Sequence, residues 1–388
     1  MDFEYPEAVR MIRDTVKRFM DEEVIPLEKQ YHDDHLPKDV EKELIGKIQA
    51  IGMWNLSVPE EYGGGGLGAL DMYPIREEIG KSILGAGHAS SNLFSARIPA
   101  QLYGASESVK ERYLYPALRG EKTTFFAQSE AGSSGSDPAS METTAVRDGD
   151  DWVINGSKFW ISYAHEADFG VVFAVTDKEK RNRGGITAFL IDRETPGWRA
   201  VRRIDTLGGP GRRPNELVFE DCRVPHEHVL GEVGQGFVIA QRTLNRNRLG
   251  MGPGSVGKAE RALKMGVAYS EQRKTFGELL ADRQAVQWML VDSAIEIHAT
   301  RWMSLHAAWR ADQGEDIRME ASMVKVFATE MLWKVVDRMI QIHGGVGFTT
   351  DLPLESMLRN ARGNRIVEGP SEVHRMAIAR HLRRGAWF

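Results

Sequence analysis

The strongest constraint on this chain is a double change of hydrophobic period, from helical to strand-like near residue 126 and back near residue 235. In residues 8–16 and 41–52 apolar side chains return every three or four positions, as on one face of a helix. Short β-prone runs follow at 143–147, 152–155, 158–161, 169–176, 185–191 and 215–219. Asp148-Gly149-Asp150 and Asn155-Gly156 separate the first three and read as hairpin turns, since Gly, Asn and Asp tolerate the positive φ of a tight turn. From about Gly236 the helical period resumes. Val286, Leu290, Ala294 and Ile297 mark one buried face, residues 319–344 read as another long helix, and Trp288, Met289, Trp302 and Met303 are expected in the core. The expected class is α+β with the two kinds of structure segregated along the chain: an N-terminal all-α domain (1–125), a central antiparallel β domain (126–235) and a C-terminal helical domain (236–388).

A length of 388 residues exceeds one ordinary core and fits this division. With 42% apolar residues, 27% charged residues and a net charge of −5, the chain has the balance of a globular protein. No basic stripe argues for nucleic acid. A single cysteine, Cys222, excludes a disulfide framework and a thiolate metal cluster, fits a reducing compartment and reads as a buried structural thiol. No stretch reaches the ~20 apolar residues of a membrane span. Met1-Asp2-Phe3-Glu4-Tyr5 lacks the basic and apolar regions of a signal peptide, so a cytoplasmic protein with no membrane partner is expected.

Two glycine-rich segments carry less chemistry than their spelling suggests. Gly63-Gly64-Gly65-Gly66 reads as a tight loop between helices. Gly252-Pro253-Gly254-Ser255-Val256-Gly257 satisfies G-x-G-x-x-G, but the dinucleotide fingerprint needs a strand before it, and here the helix-like segment 238–249 precedes it. Glu368 is the carboxylate best suited to chemistry. It sits in Arg365-Ile366-Val367-Glu368-Gly369-Pro370-Ser371-Glu372-Val373-His374, where a Glu-Gly-Pro step bends the chain sharply and can hold the side chain on a rigid corner. By itself that run reads first as a surface Glu ahead of a helix N-terminus with Pro370 at N1, and only the rest of the chain reverses this.

Further segments form an ordered set: Ala127-Gln128-Ser129-Glu130 leading into Ser134-Gly135-Ser136-Asp137; Asn155-Gly156-Ser157-Lys158-Phe159-Trp160-Ile161-Ser162; Asn245-Arg246-Asn247-Arg248-Leu249; Arg273-Lys274-Thr275-Phe276-Gly277; and Gln341-Ile342-His343-Gly344-Gly345-Val346-Gly347-Phe348 upstream of Glu368. In this order the set resembles the acyl-CoA dehydrogenase family over nearly the whole chain. The resemblance implies a central β-barrel or sandwich, a C-terminal four-helix bundle and a non-covalently bound FAD. It implies that Gln128, Ser129, Trp160, Ser162, Arg273, Thr275, Phe276, Gln284, Gln341, Gly344, Gly345 and Glu372 contact the cofactor. Arg273 would reach the pyrophosphate of a neighbouring subunit's FAD, which requires a homo-oligomer; the family is usually tetrameric. Ser136, Asn245, Arg248 and Gly369 match positions on the acyl-CoA side, and Glu368 matches the base that removes the α-proton. One branch of the family carries its base at the position of Asn247, which is neutral here. His343 receives no role beyond a structural one. An electron-transferring flavoprotein is the implied acceptor, and fatty acid metabolism the implied setting.

The chain also departs from the pattern. Val367 replaces a frequent aromatic residue, Pro370 a common Thr and Asn360 a frequent Asp, and the stretch after Glu130 is one residue longer than usual. At the level of sequence, an FAD-dependent oxidase or monooxygenase, an enoyl-CoA reductase and a non-catalytic partner protein remain as alternatives on the same fold.

Overall fold

A computed structural model describes residues 4–31, 36–85, 93–208 and 213–385. Helices α1 (Glu7–Phe19), α2 (Lys38–Ala50) and α3 (Met72–Gly80) and the short turns α4 (Glu107–Val109) and α5 (Tyr115–Leu118) come first. Strands β1 (Thr124–Ala127), β2 (Thr144–Asp148), β3 (Asp151–Ile161), β4 (Phe169–Val175), β5 (Ile186–Asp192), β6 (Trp198–Arg203) and β7 (Asn215–Pro225) follow. Helices α6 (Gly236–Gln272) and α7 (Gln284–Asp312) flank a small hairpin, β8 (Lys274–Thr275) and β9 (Glu278–Leu279). Helices α8 (Arg318–His343), α9 (Leu354–Asn364) and α10 (Ser371–Arg383) complete the fold. The chain gathers into two compact units, Met1–Ser95 with Leu207–Gly211 and Asn245–Phe388, and Ala96–Thr206 with Arg212–Leu244.

The helical unit has one core made from both ends of the chain. Val16, Met20, Ile48, Ile75 and Phe94 bury with Val256, Leu332, Val335, Leu354 and Met357. The G-x-G-x-x-G segment lies in the middle of α6, where it serves close packing. A Cβ on Gly257 would meet the Glu77 carbonyl oxygen at 1.9 Å, and one on Gly80 would meet the Gly254 carbonyl oxygen at 2.7 Å, so α3 and α6 touch backbone to backbone. On α7 the buried face runs through Ser293, Ile297, Thr300 and Ser304, whereas Ala294 is exposed, contrary to expectation. The Ser293 and Thr300 hydroxyls donate to the Met289 and Glu296 carbonyls, which lets polar residues occupy the inner face. Trp288 and Trp302 also depart from the expected core, being 61% and 42% exposed. They share a second apolar face with Val291, Ile295 and Trp309, and periodicity alone does not say which of two apolar faces turns inward.

The second unit is a mixed, curled sheet in the order β1-β4-β2-β3-β7-β6, with β5 also paired to β4. Most pairs are antiparallel as expected. The exceptions are β1, which runs parallel to β4, and a single parallel step between β2 and β4. The β2–β3 excursion between β1 and β4 supplies the crossover length that parallel pairing needs. β4 is buried at every position and reads as a continuous apolar run, as a central strand should. Its core includes Phe125, Trp152, Val172, Phe189, Leu217 and the buried Cys222 thiol, whose pKa burial pushes up to about 11. Asp148–Asp151 closes the β2–β3 hairpin as predicted, but Asn155-Gly156 does not make a second one. β3 runs straight through it with a register shift against β7. Gly156, at φ +144°, approaches Thr143 too closely for a side chain, while the Asn155 amide donates to the Asp221 carboxylate and accepts from the Asp221 N–H. The Asn-Gly pair is spent on an irregularity within a strand.

Candidate active site

Glu368 stands between α9 and α10 at the corner the Glu-Gly-Pro step predicts. Its φ is +58° and that of Gly369 is +96°. Pro370, at φ −64° and ψ 155°, sits just before the first helical residue of α10. A left-handed Glu costs on the order of 1–3 kcal/mol and persists only where neighbours over-determine it. Here two donors hold its carbonyl oxygen: Arg248 Nε at 3.0 Å and His374 Nε2 at 3.1 Å. A Cβ on Gly369 would lie 3.0 Å from His374 Nε2, which adds a steric reason for glycine beside the positive φ. Burial, with the Arg248 charge, pulls the His374 pKa down to about 4. The ring is therefore neutral near pH 7, and Nε2 carries the proton it gives to the carbonyl.

The Glu368 carboxyl is the least satisfied group in this cluster. Asn247 Nδ2 reaches Oε1 at 3.4 Å, and Oε2 is closed off from solvent with no hydrogen-bond partner. Burial raises its pKa, and this outweighs the opposing pull of Arg248, Asn247 and Lys325. A carboxylate with so little stabilisation is a stronger base than one in water. Arg248 also donates from Nη1 to Asn245 Oδ1 at 3.0 Å. Fully buried Lys325, on α8, donates to the Arg365 carbonyl at the C-terminal end of α9, and burial together with Arg248 lowers its pKa to about 8. Asn245, Asn247, Arg248, Lys325, Glu368, Gly369 and His374 thus form one linked cluster. Neither Lys325 nor His374 carried a role at the level of sequence. The only signal for Lys325 was a charge on an apolar helical stripe among Val324, Ala328 and Leu332.

In the sheet unit a second cluster forms where the segment after β1 lies along β3. Phe159 N–H donates to the Ser129 carbonyl at 2.9 Å, and Ser129 Oγ donates to the Phe159 carbonyl at 2.7 Å. The next residue, Trp160, has φ +66° and is 53% exposed, while Ser162 is partly buried just past the strand. Fully buried Lys158 fastens the same segment, donating to the Gln128 carbonyl at 3.1 Å and to Glu130 Oε1 at 2.8 Å. Burial pulls the Lys158 pKa down to about 8; burial pushes Glu130 up, but Lys158 and the Thr143 and Glu142 N–H groups outweigh it and hold the carboxyl below its usual range. Breaking a buried pair of this kind costs about 3–5 kcal/mol. Ser136 is exposed in the loop that follows.

The remaining predicted residues lie in the helical unit. Arg273 is exposed just after α6, and Thr275 is partly buried in β8. Phe276 is 100% exposed at φ +51°, followed by Gly277 at +84°. Gln284 opens α7 and is exposed. Gln341 is exposed on the last turn of α8, beyond which Gly344 has φ +62° and ψ −137°, and a Cβ on Gly344 or Gly345 would meet nothing within 4 Å. His343 is structural, donating from Nδ1 to the Met339 carbonyl at 2.7 Å and stacking on Tyr269. Glu372 is exposed in the first turn of α10.

Comparison with known proteins decides the family. The N-terminal, middle and C-terminal domains of acyl-CoA dehydrogenase match residues 6–121, 125–222 and 234–383. The chain belongs to the acyl-CoA dehydrogenase family. It is 38% identical to the human mitochondrial short-chain specific acyl-CoA dehydrogenase over 381 residues, 98% of this chain and 91% of the other. It is also 38% identical to the (R)-benzylsuccinyl-CoA dehydrogenase of Thauera aromatica, over 98% of this chain and 97% of that one. A solved chain described with the electron transferring flavoprotein of Acidaminococcus fermentans superposes with a TM-score of 0.89 at 37% identity, covering 99% of this chain and 100% of that chain. FAD is the cofactor of this family's homologues. Among the described residues no helix is long and apolar enough to cross a membrane.

Proposed function

We propose that this acyl-CoA dehydrogenase removes the α-proton of an acyl-CoA thioester with Glu368 as base, in an FAD-dependent α,β-desaturation. The observation that carries this reading is Glu368 Oε2, buried and without a donor on a backbone corner held by Arg248 and His374. The family's alternative base position holds neutral Asn247, which leaves Glu368 without a rival.

The residues present suit the cofactor. The half-exposed Trp160 indole offers a flat face, the Gln128-Ser129 segment is fastened to β3, and the open Gly344-Gly345 step admits close approach of a ligand. Gln128, Ser129, Trp160, Ser162, Arg273, Thr275, Phe276, Gln284, Gln341, Gly344, Gly345 and Glu372 would hold it, with the Arg273 guanidinium suited to phosphate oxygens. When bound, FAD supplies the two-electron acceptor for the hydride of the β-carbon. Glu368 takes the proton, and its backbone N–H is the family's donor to the thioester oxygen, where negative charge develops. Asn245 and Arg248 border the substrate side, and Ser136 fits the pantetheine arm. An electron-transferring flavoprotein is the proposed electron acceptor; the likeness to a chain solved in that context supports it.

The test is Glu368→Gln. The variant is expected to purify yellow with FAD, while anaerobic bleaching by acyl-CoA esters slows by about 10²–10⁴, the usual contribution of a positioned base. Bleaching at the wild-type rate would remove Glu368 from the reaction.

A further inference from the structure

Lys325 is a buried cation that the proposed reaction leaves idle. It lies in the first half of α8 and is 0% exposed. Among the described residues its ammonium bonds one group, the Arg365 carbonyl at 3.2 Å, although it carries three N–H donors. Lys158, buried as deeply, has a carboxylate bonded to it at 2.8 Å. A neutral amide could serve a carbonyl as well as an ammonium does, and burying a charge without a bonded counter-ion is costly. The charge at this position therefore calls for a use beyond the fold.

Its one acceptor stands at the neck of the loop that carries the base. The Arg365 carbonyl, just past the last residue of α9, also accepts from the Ser371 N–H at 3.1 Å, where α10 begins. Residues 366–370 thus form a loop closed by one carbonyl, with Glu368 at its middle, and Lys325 fastens that carbonyl from α8. The charges acting on Lys325 come from each helix packed there. α6 brings Arg248, which repels it, α8 itself brings Glu330, α10 brings Glu372, and the loop brings Glu368. Glu330 sits in ion pairs with Arg365 at 2.9 Å and Arg375 at 3.8 Å, and Glu372 is exposed to water. His374, held neutral, bonds the Glu368 carbonyl. That leaves the Glu368 carboxylate, with Oε2 shut away from solvent, as the anion whose charge is not met elsewhere. The influence is mutual. Burial raises the Glu368 pKa, and Arg248, Asn247 and Lys325 draw it back. Burial and Arg248 lower the Lys325 pKa to about 8, which still leaves the ammonium mostly charged at neutral pH.

We propose that Lys325 is a positioning residue for the base: it fastens the neck of the Glu368 loop and supplies, together with Arg248, the positive charge that keeps the enclosed carboxylate ionised until substrate arrives. This rests on the dehydrogenase reading above and adds a residue to its site.

The test compares the wild type with Lys325→Gln, which keeps an N–H donor for the Arg365 carbonyl but no charge, and with Lys325→Met, which keeps neither. Two titrations follow Glu368. One is the pH profile of kcat/KM for flavin bleaching by butyryl-CoA and octanoyl-CoA. The other needs no substrate: infrared difference spectra of the protonated carboxyl, assigned by its loss in Glu368→Gln. Removing a nearby positive charge raises a carboxyl pKa, so in both variants the acid limb and the infrared titration should move upward by about one pH unit. Above that limb, Lys325→Gln should recover most of the kcat that Lys325→Met loses. An unmoved titration in Lys325→Gln overturns the proposal, and this arm holds even if Lys325→Met fails to fold. A fall in kcat by the same factor at every pH would make Lys325 a structural prop and overturn it as well. Failure of the dehydrogenase reading looks different: no acyl-CoA ester would bleach the flavin, while the infrared titration would still shift.

Discussion

At the scale of single residues, the site depends on keeping an unfavourable backbone conformation in place. His374 and Arg248 share the Glu368 carbonyl, so loss of either frees the residue to leave the left-handed region. His374→Ala should lower kcat by about tenfold or more while changing KM little, and His374→Gln, which retains an N–H donor, should recover most of it; stopped-flow flavin reduction separates the two constants. Protonation adds an independent signature. The folded His374 pKa, about 4, lies below its unfolded value near 6.5, so its contribution to stability is present above pH 6.5 and is lost as pH falls toward 4. Across that window the wild type should lose on the order of 2–3 kcal/mol more than His374→Gln in denaturant titrations. The Glu368 pKa is shifted the other way, and kcat/KM should rise with pH through that raised value. The corner at Glu368 was legible in the sequence because Glu-Gly-Pro bends the chain, while the role expected of its carboxylate came from the ordered motifs upstream. The groups that hold the corner were not, because Arg248 and His374 are 126 residues apart along the chain and only packing brings them to one oxygen.

Secondary-structure elements show the same limit in another form. Helix positions in α1, α2 and α8 followed from their period, since apolar spacing is a local property. Asn155-Gly156 carried a correct local preference, a residue pair tolerant of unusual backbone, but the preference served a register shift between β3 and β7 and not a turn. The glycines of α6 likewise look like a nucleotide loop until the preceding segment is weighed, and the structure gives their purpose. Gly257→Ala should destabilise the protein by about 3 kcal/mol or more, because its Cβ would run into the Glu77 backbone. Gly254→Ala, whose own Cβ meets nothing within 4 Å, should be neutral or stabilise by up to about 1 kcal/mol through helix propensity. Chemical denaturation of the two variants side by side separates packing glycines from incidental ones.

For the molecule as a whole, exposed apolar surface points to assembly. Trp288, Val291, Ile295, Trp302 and Trp309 form an exposed stripe along α7, and Phe276 is entirely uncovered on its hairpin. Isolated exposed apolar residues are ordinary, but a row of them along one helix is the kind of surface a second copy would cover. A second copy covering the stripe would also agree with an Arg273 that serves its neighbour. Trp288→Glu combined with Ile295→Glu should shift the protein to a smaller species in sedimentation velocity, with weaker FAD retention. The α, then β, then α order of the chain was visible in its hydrophobic period. The pooling of both helical ends into one core was not, because a period gives the face of a helix and never its partner.

That shared core also sets a timetable for biosynthesis. Phe94 packs in the same core as Val256 and Leu332, so the first helices leave the ribosome with their apolar faces bare. At ~5–20 residues per second, on the order of ten to thirty seconds pass between the synthesis of Phe94 and that of Val256. For that interval the nascent N-terminus is a natural client for chaperones, and the sheet unit has time to fold before the helices it interrupts can do so.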